Sequence, residues 1–216
     1  MRAHITIQRS RLAPPGNEPD LKRALLLAPG FERAVREVSR MLREAGIRHA
    51  LVGALAANAY RDRPRTTADI DFLVGDEAFE EHPGGFVTLR VPFIEFEGIE
   101  VDQVPLTDAL RVVEETLNRA PVSEGIPIAP LDTIVIMKLL AGRTQDLADV
   151  EAIVASGADR QHLREVVQKA APQYADTLER LFATWIACDI GTTMIAHEFT
   201  LEEGEAIRAG LARRVD

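Results

Sequence analysis

The sequence predicts an α+β fold, in which short strands occupy the middle of the chain and helices fill its beginning and its C-terminal half. Three observations lead to this class. Apolar residues recur at three- and four-residue steps between residues 21 and 44. Short apolar runs bounded by turn residues follow between residues 49 and 104, and helical spacing returns beyond residue 107. A chain of 216 residues, 46% of them hydrophobic, is long enough to bury one sizeable core.

The N-terminal part divides into an arm and a broken helix. Residues 1–20 hold several prolines without a sustained period, which predicts a flexible or strand-swapped arm. Helical spacing over residues 21–44 is interrupted at Pro29-Gly30, so we expect a short and a long helical piece. We assign a core to residues 21–128 and a helical C-terminal portion to residues 129–216.

The middle of the chain carries the strands. The run from His49 to Gly53 indicates a strand that ends in a tight turn, and a short helix follows over residues 54–60. A loop at 61–68 precedes a strand at 69–74. Further strands are expected at 86–91, 93–96 and 99–104, the last two joined by a Glu97-Gly98 hairpin. Helices are then predicted at 107–118, 131–140, 146–154, 160–170 and about 174–188.

Composition excludes several classes of protein. No apolar run is long enough for a membrane span, and the N-terminus lacks a secretory pattern, so we expect a cytoplasmic protein without a membrane partner. One cysteine and five scattered histidines do not suggest a zinc site. The net charge of −9 argues against a general nucleic-acid binder.

Positive charge is nevertheless concentrated near the N-terminus. Residues 1–65 hold 13 Lys+Arg against 6 Asp+Glu. Four arginines lie in this region at helical spacing, and two explanations stay open for them. They form the solvated face of one helix, or they make a specific contact to phosphate or RNA; the residues are Arg33, Arg36, Arg40 and Arg43.

Asp69 and Asp71 are the first candidates for chemistry. Successive strand side chains point to opposite faces, so both carboxylates project from one face while Ile70 and Phe72 point into the core. Neighbouring carboxylates repel each other, and oxygen ligands of this kind suit magnesium or manganese. The alternative is that Asp69 is a cap and Asp71 an incidental carboxylate of an edge strand.

A third carboxylate, Asp102, lies within the apolar strand at 99–104, where an unpaired buried charge would be costly. Strand position alone leaves open whether Asp102 faces solvent. If its strand neighbours that of Asp69, three carboxylates converge. They would suffice to hold two metal ions and to leave one oxygen that accepts a proton from an attacking hydroxyl.

Gly53 closes a strand and opens a helix, a position at which backbone amides can hold a phosphate. A purely structural turn is the alternative. Arg65, Thr66 and Thr67 directly precede the aspartate pair. They either orient carboxylates and phosphates or shape the loop.

The segments LVGALAANAY and RTTADIDFLV resemble the signature of the DNA-polymerase-β-like nucleotidyltransferase superfamily, and within it the AbiEii-like bacterial proteins of type IV toxin–antitoxin systems. The resemblance covers about residues 35–153. It implies a nucleotidyltransferase fold, with a small mixed β-sheet flanked by helices and a helical C-terminal portion. Asp69, Asp71 and Asp102 would then be catalytic and metal-binding, with Mg²⁺ (or Mn²⁺) as cofactor. The family's turn carries a second glycine or a serine, and Ala54 supplies neither.

The segment IVIMKLLAGRTQDLADV resembles the family's lysine helix and its following Arg-x-x-Asp-x-x-Asp segment. The resemblance implies that Lys138 contacts nucleotide phosphates, although a lysine that snorkels to solvent explains the residue equally well. Asp146 is the better site candidate and Asp149 the structural one, while Met137 is most simply core. The predicted nucleotide-binding residues are Gly53, Ala54, Arg65, Thr67, Lys138 and Asp146.

The predicted function is transfer of a nucleoside monophosphate from a nucleoside triphosphate to an acceptor hydroxyl on a tRNA, a protein or a small molecule. A toxin role and a cognate antitoxin are further implications of the resemblance. The alternative is a non-catalytic regulatory or partner-binding protein of the same fold, which the Gly53-Ala54 turn favours. Dehalogenase-type phosphatases are disfavoured because their aspartate pair follows its apolar strand, whereas here the apolar residues come after the pair. Acceptor, base and oligomeric state stay open.

Overall fold

The structure is a computed structural model that describes residues 18–82, 86–89 and 94–183. The strands in chain order are β1 (His49–Leu51), β2 (Ile70–Val74), β3 (Phe79–His82), β4 (Phe86–Leu89), β5 (Ile94–Phe96), β6 (Ile99–Pro105), β7 (Val122–Ser123) and β8 (Ile126–Pro127). The α-helices are α1 (Leu21–Leu25), α2 (Glu32–Glu44), α3 (Gly53–Asn58), α4 (Thr116–Arg119), α5 (Leu131–Ala141), α6 (Thr144–Ala155) and α7 (Arg160–Ala170), and residues 175–183 are also helical. Short 3-10 helices cover Pro29–Phe31, Asp76–Ala78, Asp108–Val113 and Pro172–Tyr174.

A four-stranded mixed sheet in the order β1-β2-β6-β5 organises the fold. β2 pairs with β1 in antiparallel and with β6 in parallel orientation, and β5 and β6 form an antiparallel hairpin. Helix α2 packs against β1, β5 and β6, whereas α3 packs against β2 and contacts α5. The predicted α+β class, with a small mixed sheet flanked by helices, is confirmed.

One continuous core joins the sheet to the helices on either side of it in sequence. Ile70 and Phe72 of β2 are fully buried in it, together with Val38 of α2 and Leu139 of α5. The burial of Ile70 and Phe72 agrees with the predicted two faces of this strand. The opposite face of β2 is thereby left for Asp71.

The structure differs from the predicted elements in three places. Residues 107–118 are not one α-helix, because a 3-10 helix at Asp108–Val113 precedes the single turn of α4. Spacing of three aligns Leu110 and Val113 in such a helix, and Thr107 O accepts from both Leu110 N and Arg111 N at 2.8 and 3.0 Å. The strands β3, β7 and β8 were not predicted; β7 and β8 are only two residues long. Such lengths are too short for a periodic pattern to emerge.

Turn chemistry places two of the predicted boundaries. Asp20 caps α1 by accepting from Lys22 N and Arg23 N. The Glu97-Gly98 hairpin is present, with φ of 52° and 80° at its two residues.

Most of the predicted arm, the end of the strand at 86–91 and residues 184–188 lie outside the described residues. Within the described part of the chain, no helix combines the length and apolar character that a membrane crossing requires.

The arginines of α2 are engaged with neighbouring acids. Arg36 Nη2 contacts Glu32 and Glu124 at 2.9 and 2.7 Å, and Arg40 lies between Glu37 and Glu44. These are exposed ion pairs, which stabilise a fold little. The charges of Arg36 and Arg40 are locally balanced, which favours the solvated helix face for these two residues.

Candidate active site

A cleft of about 930 Å³ opens between the sheet and helices α5 and α6. Its volume lies within the range of small-molecule sites. All nine site residues predicted from the sequence line this one cleft. They are Gly53, Ala54, Arg65, Thr67, Asp69, Asp71, Asp102, Lys138 and Asp146. The structure thus brings the whole predicted set together from five separate segments of the chain.

Asp71 and Asp102 stand side by side across the central pair of strands. They are direct partners in the parallel register of β2 and β6, which places their backbones about 4.8 Å apart. Asp69 lies two residues before Asp71 and lines the same cleft. Asp102 is exposed to the cleft rather than buried, so its charge needs no internal partner. This exposure answers whether Asp102 faces solvent, which strand position had left open.

Gly53 lies against the Asp71 carboxylate at closer range than any side chain would allow. A Cβ atom built on Gly53 would stand 1.9 Å from Asp71 Oδ2, and the φ of Gly53 is +65°. Backbone contact reinforces the approach, because Val52 N donates to Asp71 O at 2.9 Å. Glycine is therefore required here for two independent reasons, the left-handed backbone and the adjacent carboxylate.

The three carboxylates oppose one another electrostatically. Burial raises the pKa of Asp71, and the charges of Asp102 and Asp69 raise it further, while Lys138 and Arg143 act in the opposite direction. A divalent cation would relieve this repulsion, and an all-oxygen donor set is the kind that Mg²⁺ or Mn²⁺ prefers. Among the described residues, however, no three His, Cys, Asp or Glu side chains are gathered tightly enough to hold a metal ion. The donors nevertheless fit the ion chemically.

A buried charge cluster lies beside the cleft, between helices α5 and α6. Lys138 is only 6% exposed, and its Nζ contacts Asp146 Oδ1 at 2.7 Å and Asp149 Oδ2 at 2.9 Å. The snorkelling interpretation of Lys138 is wrong, since its charge points inward. Burial opposes ionisation of Asp146, but Arg143 and Lys138 hold the pKa of Asp146 below its ordinary value. The lysine is thereby held at the cleft by two carboxylates.

Asp149 is fully buried and anchors the loop that precedes the aspartate pair. Arg65 donates from Nε and Nη2 to its two oxygens at 2.7 and 2.9 Å, and Arg61 Nη1 donates at 2.8 Å. The Asn58 side chain donates a hydrogen bond from Nδ2 to the carbonyl of Arg65 and accepts one at Oδ1 from the Arg65 N–H. Thr67 Oγ1 accepts from Asp69 N at 3.4 Å. Of the two roles considered for Arg65 and Thr67, these contacts support shaping of the loop.

Arg143 is the cationic residue of the cleft that the predicted site set omitted. Its side chain is 77% exposed, while its Nε donates to Asp146 Oδ2 at 2.6 Å. The guanidinium is thus oriented by Asp146 and still accessible to an anion. The sequence signal was present, because Arg143 begins the Arg-x-x-Asp segment, but exposure distinguishes it from Lys138 only in the folded structure.

The remaining side of the cleft is apolar. Val104, Leu110, Met137 and Leu140 line it and are each only partly buried, and we call these four residues the apolar wall. Met137 was predicted to be core, and instead it packs on the core with one side turned to the cleft. Helix α5 is apolar on nearly all sides. Its hydrophobic pattern therefore could not indicate which face borders the cleft.

No protein-family model and no curated protein matches the chain. Among solved structures, the chain is similar to an antigenic nucleotidyltransferase-like protein from Paracoccidioides brasiliensis, with 16% sequence identity and a TM-score of 0.40. The similarity covers 70% of this chain and 93% of the other. A likeness at this distance transfers neither an activity nor a substrate, so function is argued from the cleft itself.

Proposed function

We propose that this chain is a metal-dependent nucleotidyltransferase that moves a nucleoside monophosphate from a nucleoside triphosphate to an acceptor hydroxyl. The observation that carries the proposal is the register of β2 and β6, which sets Asp71 directly beside Asp102. Asp69 lies on the same side, and the cationic Arg143 and Lys138 line the same cleft. Carboxylates beside cations are what a site needs for a metal-bound polyphosphate.

Asp69, Asp71 and Asp102 would hold Mg²⁺ or Mn²⁺ in this proposal. When bound, the ion supplies neutralisation of phosphate charge and lowers the pKa of the acceptor hydroxyl. The exposed Arg143 would contact the triphosphate, because its guanidinium suits bidentate binding of phosphate oxygens. Lys138 lines the same cleft, and its ion pairs with Asp146 and Asp149 would make it a positioning residue for Arg143 through their shared partner Asp146.

Asp102 is the residue we assign to accept the proton of the acceptor hydroxyl. The acceptor oxygen forms a bond to the α-phosphorus while the bond from that phosphorus to the bridging oxygen breaks and pyrophosphate leaves. Asp102 is suited to the proton because it is exposed to the cleft. Asp71 is more buried and lies against Gly53, so we assign it to metal binding and not to proton transfer.

A non-catalytic protein of the same fold is the second candidate. One observation favours it, because Ala54 gives the turn no hydroxyl. The nature of the acceptor, a toxin role and a cognate antitoxin rest on the sequence resemblance alone.

Calorimetric titration of each nucleoside triphosphate, with Mg²⁺ and with chelator, separates the two candidates. We expect Mg²⁺-dependent binding that is lost in the Asp69→Ala/Asp71→Ala variant. An Asp76→Ala variant serves as control, because Asp76 is an exposed carboxylate paired with Arg111 outside the cleft. Binding that survives in the double variant, or the absence of binding by every nucleotide, would contradict the enzyme assignment.

A further inference from the structure

The apolar wall is the part of the cleft that the proposed chemistry does not use. Neither metal binding nor phosphate binding involves Val104, Leu110, Met137 or Leu140, yet all four line the cleft and keep part of their surface accessible. Apolar surface left in contact with water carries a free-energy cost in proportion to its area. A ligand that covers this surface would recover that free energy.

The apolar wall adjoins the charged groups directly. Met137 and Lys138 are consecutive residues of α5, and Val104 follows Asp102 by two residues on the same side of β6. Leu110 belongs to the 3-10 helix that packs on α5. A single ligand that contacts the wall and the cationic groups together would need an apolar part tethered to an anionic group.

We propose that the nucleobase of the donor lies against the apolar wall, and that the wall selects purines over pyrimidines by contact area. This inference rests on the proposed function, which supplies the anionic part of the ligand. A nucleoside triphosphate has both features in one molecule. A hydroxyl acceptor on a protein side chain matches such a surface less well, because it offers no apolar plane and its polar group would lose water without gaining a partner.

Recognition by the apolar wall would be unspecific within each base class. None of its four side chains carries a nitrogen or an oxygen that could read the edge of a base. Discrimination by apolar contact grows with the area covered, and a purine offers the larger plane. Adenine and guanine should accordingly bind alike, and both more tightly than cytosine and uracil.

The test measures binding of ATP, GTP, CTP, UTP and inorganic tripolyphosphate to the full chain in Mg²⁺. Met137→Gln keeps the side-chain length but puts an amide into the apolar wall. We expect this variant to bind ATP and GTP about tenfold more weakly and to bind tripolyphosphate with unchanged affinity. Met41→Gln is the matched control, since Met41 is 40% exposed on α2 and lies outside the cleft. Leu140→Gln repeats the test from a second position should Met137→Gln unfold.

Each other outcome has a distinct meaning. An equal loss for tripolyphosphate and nucleotides would overturn the base assignment, because the variant would then have disturbed the phosphate end. Unchanged nucleotide binding with slower transfer would assign the wall to the acceptor and also overturn it. If neither tripolyphosphate nor any nucleotide binds the unaltered protein, the proposed function fails, and this inference fails with it.

Discussion

Gly53→Ala is the substitution for which the structure makes the sharpest prediction. The new Cβ would stand 1.9 Å from Asp71 Oδ2 and 2.7 Å from its Cγ. The carboxylate is the free end of a side chain and can swing aside, while the Asp71 Cβ, at 3.0 Å, must yield by only a few tenths of an ångström. The stability cost is then mainly that of a non-glycine residue in the left-handed region, about 1–2 kcal/mol.

The displaced carboxylate should cost far more in function than in stability. A shift of about 1 Å in a catalytic group can lower a rate by about 100-fold, and we expect at least that loss of nucleotide transfer. Gly46→Ala provides the matched control, because Gly46 has a similar φ of +73° but nothing within 4 Å of the new Cβ. It should lose the same stability and retain full activity.

Thermal unfolding and nucleotide transfer, measured on both variants, complete the comparison. For a chain of this size the expected loss lowers the melting temperature by about 2–4 °C for each kcal/mol. Equal transfer by Gly53→Ala and Gly46→Ala would refute the argument, since the approach of Gly53 to Asp71 would then have no role. Unfolding of Gly53→Ala alone would show that the Asp71 side chain cannot move aside.

Two further predictions concern the charges of the cleft. Asp71→Asn, studied with chelator, should stabilise the protein near pH 7, because burial and the charges of Asp102 and Asp69 raise the pKa of Asp71 and so make its ionised form unfavourable in the folded state. The gain should disappear as the pH falls through the raised pKa, and a gain that persists in acid would contradict it. Lys138→Met should destabilise by about 3–5 kcal/mol, because it leaves Asp146 and Asp149 buried without one of their cations. Arg143→Met, at a 77% exposed side chain, should cost less than about 1 kcal/mol of stability yet weaken tripolyphosphate binding. Urea titration measures the stability and calorimetry the binding, and equal destabilisation by Lys138→Met and Arg143→Met would contradict this contrast.

Local patterns account for most of the elements that could be predicted. Helical spacing located α2, α5, α6 and α7 to within a few residues, since each helix spans several turns and buries a recognisable set of positions. The two-residue strands β7 and β8 and the 3-10 helix at Asp108–Val113 carry too little periodicity to be assigned in this way. The distinction follows from length, because a period must repeat before it can be recognised.

The sequence by itself determined the α+β class and the faces of β2, since these depend on periodicity within single segments. The resemblance to a known family, together with motif spacing, nominated the nine candidate residues. Only the tertiary structure decided that β6 lies parallel to β2 with Asp102 opposite Asp71, because strand neighbours are chosen by packing between distant segments. It also decided that Lys138 is enclosed by Asp146 and Asp149 while Arg143 stays accessible, and that Met137 faces the cleft. Those outcomes depend on which surfaces α5 and α6 cover, and no local pattern carries that information.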